Sequence, residues 1–104
     1  MKGFLYIDDD LLGEADFKII DESMGVIGGD FVPNGNYNKY RPIIQKQCDQ
    51  NGISNVTDFH YRIVLADNTE LNPAGGIGIT DFEEFDEIYV ESAGLDQKAI
   101  EKCR

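Results

Sequence analysis

Three patterns in the sequence predict an α+β fold: an antiparallel-rich sheet of five or six strands, with one main helix packed on one face and a short C-terminal helix. Short alternations of β-branched and aromatic residues are separated by Gly, Pro, Asn and Asp clusters. One stretch carries apolar residues at helical spacing, and the last segment carries helix-start signals. The 104 residues, 41% hydrophobic and 28% charged, suit a single domain spanning 1–104. A chain of this size can bury about 65% of its unfolded surface, enough for one modest core.

Phe4 to Ile7 reads as a first strand and Ala15, Phe17, Ile19 as a second, with Phe17 and Ile19 inward. "MGVIGGDFV" has strand composition, but Gly25, Gly28 and Gly29 predict a bulge or tight bend within it. "PNGN" stops it. Tyr37, Tyr40, Ile44 and Cys48 then share a helical face, which predicts the main helix over about Asn38 to Asn51. Pro42 must lie in its first turn, and Gly52 supplies a left-handed closing residue.

"DFHYRIVLAD" is the clearest strand, with Phe59, Tyr61, Ile63 and Leu65 on one face, and is expected to be central. Glu70 and Leu71 are expected to pair briefly, and Ile77 and Ile79 to form a short strand. Phe82 and Phe85 are expected to anchor a single helical turn on the core. A strand over Glu87 to Glu91 follows, with Ile88 and Val90 inward. Asp96 is a candidate N-cap, with Leu95 and Ile100 as a hydrophobic staple.

Several functions are disfavoured by the residues themselves. A net charge of −11 argues against direct contact with nucleic acid or an anionic membrane surface. No apolar run approaches the roughly 20 residues of a membrane-spanning helix, and the N-terminus is too short and acidic for a signal peptide. Cys48 and Cys103 are read as reduced thiols of a cytoplasmic protein. "GVIGGD" and "GGIGIT" lack the spacing and the lysine of phosphate loops. Asp8, Asp9 and Asp10 begin a calcium-like run, but Leu12 and Ile19 stand where ligands would be required. The lone His60 has no metal-ligand spacing around it, and its pairing with Cys48 as a nucleophile would need adjacency in the fold. The expectation is therefore no enzyme, no cofactor and no metal.

Charge asymmetry is the informative signal. From Ile63 to Leu95 there are eight acids and neither Lys nor Arg, whereas Tyr37 to Arg62 holds four bases and two acids. Strand alternation groups Glu87, Tyr89 and Glu91 on the face opposite Ile88 and Val90. An aromatic between carboxylates suits a binding anchor, with the surrounding charge steering a basic partner. The candidate partner-binding residues are Asp81, Glu83, Glu84, Asp86, Glu87, Tyr89 and Glu91. If a helix covered that face, Tyr89 would instead be core.

In size, acidity and the run "TDFEEFDEIYVES", the chain resembles the small acidic immunity proteins of bacterial toxin systems. The resemblance is to the class, and it implies a binding module that neutralises a basic toxin domain, often a nuclease, through an acidic surface. Two other readings are an inhibitor that imitates nucleic acid toward a DNA-binding enzyme, and a small-ligand or enzymatic domain built on the glycine-rich loops.

Overall fold

The computed structural model describes residues 1–104. Strands β1 (Lys2–Ile7) and β2 (Asp10–Asp16) form a hairpin, and β3 (Lys18–Asp21) and β4 (Val26–Pro33) form the next. A 3₁₀ turn over Gly35–Lys39 leads into α1 (Arg41–Asn51). Then come β5 (Ser54–Asn55), β6 (Tyr61–Leu65), β7 (Ile77–Asp81), β8 (Ile88–Ser92) and α2 (Gln97–Lys102). The strands lie in the order β5-β7-β8-β4-β2-β1-β6, with β3 beside β4, and every pairing is antiparallel.

The sheet thus has eight strands where five or six are expected from the sequence. One reason lies at Phe17, which interrupts the ladder between β2 and β3. Its buried ring packs against Gly3, where an added Cβ would come within 2.7 Å of the ring. Ile19 on β3 is only half-buried but still packs against the core opposite Ile27, so the inward face expected there continues past the break at Phe17. The other reason is β5, whose two residues are too few to show a period.

Strand β6 is also corrected, from central to the end of the strand order. It reads as interior because the sheet curls and buries Tyr61, Ile63 and Leu65 among the 21 residues of one core cluster. At the seam of the curl, the hydroxyls of Ser54 on β5 and Tyr61 on β6 meet at 2.6 Å. Gln47 of α1 accepts from the same Ser54 hydroxyl at 2.5 Å.

The main helix begins later than the apolar spacing suggests. Tyr37 is buried from the 3₁₀ turn, the chain resets at Tyr40, and Pro42 falls in the first turn of α1, where its missing N–H costs nothing. Ile44 and Cys48 face the core, and Gly52 ends the helix at φ 81°. At the other end of the chain Asp96 accepts from the Ala99 N–H at 2.9 Å, with Leu95 and Ile100 buried as the staple. Glu70 makes a single bridge to Val64. Cys48 and Cys103 are both buried and unpaired. No helix is long and apolar enough to cross a membrane.

Candidate functional site: the outer face of β8 and the β7–β8 turn

Strands β7 and β8 pair from Ile77 opposite Ser92 to Asp81 opposite Ile88. Cross-strand partners share a face, so Ile77, Ile79 and Asp81 point inward with Ile88, Val90 and Ser92. Thr80, Tyr89 and Glu91 point outward. This removes Asp81 from the surface group proposed from sequence: it is 0% exposed. The period of two continues the inward face of Ile77 and Ile79 through Asp81, which the run of acids around it hides.

A buried carboxylate needs partners to offset the loss of water. Asp81 accepts from the Tyr37 hydroxyl at 2.8 Å and from Gln45 Nε2 at 3.2 Å, and lies 3.2 Å from Arg41 Nε. Its own N–H donates to Cys48 Sγ at 3.4 Å. One acid therefore ties the 3₁₀ turn and α1 to β7. Burial first, then the bond to Asp81, pushes the Tyr37 phenol up, and burial also pushes the Cys48 thiol up. Cys48 Sγ donates to the Ile79 carbonyl at 3.4 Å, and His60 is bonded instead to Asp8 at 3.0 Å on the surface. The cluster is therefore a structural tie, with no activated nucleophile in it.

The segment between β7 and β8 is a turn rather than the helical anchor expected from its phenylalanines. Phe82 is half-buried and meets Phe85 edge-to-face at 6.3 Å, but Phe85 is 61% exposed. Phe82, Phe85, Tyr89 and Thr80 line a hollow of about 620 Å³ with Glu84, Asp86 and Glu87. Glu83 lies in the adjoining hollow of about 240 Å³, lined only by Asp49, Glu83 and Glu84. Glu91 stands one row farther along β8, between Gly28 of β4 and Gly78 of β7.

Of the residues singled out in the sequence, Glu84, Asp86, Glu87 and Tyr89 are therefore brought together, and Glu83 and Glu91 flank them. Tyr89 is half-buried, and no helix covers it. Its phenol is held up by burial first, then by Glu91 and Asp30. Phe82, Phe85, Asp30 and Asp49 complete the surface and were not read from the sequence as part of it. For Phe85 a signal exists: an apolar residue flanked by acids on both sides in a turn has poor access to a core. For Asp30 and Asp49 there is none, because both depend on strand order and helix placement.

None of Glu83, Glu84, Asp86, Glu87 and Glu91 has an ion-pair partner within the chain. The face is rich in acceptors and aromatic surface, and no grouping of His, Cys, Asp and Glu is arranged to hold a metal ion. A separate groove of about 540 Å³ runs over Gly75, Gly76 and Gly78. Its only charged lining residue is Glu91, which opposes a phosphate ligand on those backbone amides. No family model, curated protein or solved structure matches the chain.

Proposed function

We propose that the protein is a non-enzymatic binding module that docks a basic protein partner on the outer face of β8 and the β7–β8 turn. In the class that the sequence resembles, such a partner is a toxin domain, a nuclease included, and the docked module neutralises it. The observation that carries this reading is the unmatched charge of Glu83 to Glu91 beside exposed aromatic surface. Unmatched carboxylates project a field that steers a cationic partner, and aromatic side chains supply contact area with little entropy to lose. The aromatic hollow favours a protein partner over imitation of nucleic acid, which needs charge geometry alone. A cytoplasmic location goes with this reading, because Cys48 and Cys103 are free thiols.

The test is the association rate with a basic toxin domain encoded beside this chain, measured for wild type and for the triple variant Glu84→Gln, Asp86→Asn, Glu87→Gln. Wild type is expected to lose roughly tenfold in rate between low and physiological salt, and the variant to start low and stay nearly flat. Equal salt slopes for the two proteins would overturn the reading.

A further inference from the structure

We infer that Tyr89, Glu91 and Asp30 form a socket for one arginine side chain of the partner, an inference that rests on the reading of this face as a docking surface for a basic protein. No element covers the outer side of β4 and β8 here, and its shape is set by glycine. A Cβ at Gly28 would lie 2.2 Å from the Tyr89 hydroxyl oxygen and 2.7 Å from Cζ. The phenol ring therefore lies down across β4 instead of standing off the sheet, and it stays partly accessible.

On the other side of Glu91, Gly78 plays the same part for Ile53, whose Cδ1 would be 2.3 Å from a Cβ there. Glu91, in register with both glycines, thus rises between a tyrosine ring and an aliphatic side chain. Asp30 sits opposite Tyr89 in the β4–β8 register, so carboxylates bracket the ring. Neither Asp30 nor Glu91 forms an ion pair within the chain, and Lys18 of β3 stands in register opposite Gly28 without pairing to either. Burial first, then Glu91 and Asp30, push the phenol up from its ordinary value.

The occupant follows from charge and shape. A planar guanidinium stacks on an aromatic ring while its fork of N–H groups bonds a carboxylate beside it. A lysine ammonium is a compact, strongly hydrated charge, which gains the same Coulomb attraction but neither the stacking nor the fork. The structure thus assigns to this spot a preference for arginine, over and above attraction of positive charge to the whole face.

The experiment titrates the full chain with an eight-residue arginine peptide and an eight-residue lysine peptide, following amide shifts by NMR at physiological salt. The arginine peptide is expected to bind about threefold to fivefold more tightly, with its largest shifts at Gly28, Asp30, Tyr89 and Glu91. Tyr89→Leu should reduce arginine affinity to the lysine value, and Tyr89→Phe, which keeps the ring, should retain the preference. Equal affinities for both peptides, or a preference that survives Tyr89→Leu, would overturn the socket and leave basic docking standing. Binding of neither peptide would overturn the docking reading as well.

Discussion

The two halves of the curled sheet carry their acids in opposite ways. Around β1, β2 and β6, nearly every carboxylate meets a cation: Glu14 with Lys2 at 3.1 Å, Asp10 with Lys39 at 3.4 Å, Glu70 with Arg62 at 2.7 Å and Asp67 with Lys102 at 3.1 Å. The Met1 ammonium takes Asp16 at 3.0 Å, and the Tyr40 hydroxyl also donates to Asp10. Around the β7–β8 turn only Asp81 is paired, and it is in the core. Exposed pairs contribute little stability, about 0 to 1 kcal/mol each, so the contrast is not mainly one of strength. It is one of reach: paired charges cancel close to the surface, while unpaired ones act over about 8 to 10 Å of salt solution.

The largest test of this contrast asks whether Asp81 belongs to the fold rather than to the acidic face. Asp81→Ala leaves the Tyr37 hydroxyl without its acceptor and Arg41 without its ion-pair partner, and is expected to cost about 3 kcal/mol in urea unfolding. A loss under about 1 kcal/mol would show that water replaces it and that the tie is minor. Next in size, Tyr89→Ala is expected to weaken partner binding by about 2 kcal/mol with a smaller loss of stability. A stability loss of about 3 to 5 kcal/mol with affinity intact would place Tyr89 in the core instead.

The paired half has its own signature in acid. Two bonds from Thr69, followed by the Lys102 ammonium, hold the Asp67 carboxyl down to about 2, and Asp10, Asp16 and Glu70 are also held low by their partners. A carboxyl lowered on folding contributes stability that is present above its ordinary value and is lost as pH falls through the folded one. The contribution from Asp67 should therefore be whole above about pH 4 and disappear toward pH 2. Lys102→Ala is expected to flatten this part of the stability profile only in part, because the Thr69 bonds remain, and an unchanged acid limb would count against the pair. Smallest of all, Glu87→Gln should slow association by an amount equivalent to under about 1 kcal/mol, while Glu14→Gln should leave the rate unchanged. Equal effects in stopped-flow measurements would erase the distinction between the halves.

Local signals in the sequence are read correctly where neighbours along the chain decide them. The Asp96 cap, the Leu95 and Ile100 staple, the Gly52 terminus and the inward Ile88 and Val90 depend on spacing alone. Errors arise where distant segments decide. The β6 period is that of a strand buried on one face, and only the curl of the sheet distinguishes an end position from a central one. Asp81 continues the inward period of Ile77 and Ile79, but its charge masks that signal, and a buried acid becomes tenable only once Tyr37, Arg41 and Gln45 arrive from the preceding helical segments. The spacing of Phe82 and Phe85 predicts a core anchor for both, but only Phe82 packs against the core, while Phe85 meets the edge of Phe82 and is left exposed.

The hydroxyl contact between Ser54 and Tyr61 gives the curled sheet a preferred line of opening. Where strands are joined by side chains alone, few bonds resist separation, so amide hydrogen exchange should be fastest along the two-residue β5, whereas β6 is also bonded to Thr69 and Leu71 on its outer edge. Strand β8 is laddered to β7 on one side and β4 on the other, and its amides should exchange only when the whole fold opens. Tyr89 and Glu91 therefore stand on a strand laddered on both sides, two places along the sheet from β5. A basic partner of the kind proposed, docking on β8, would meet a strand already ordered, and little of the association energy would go into ordering it.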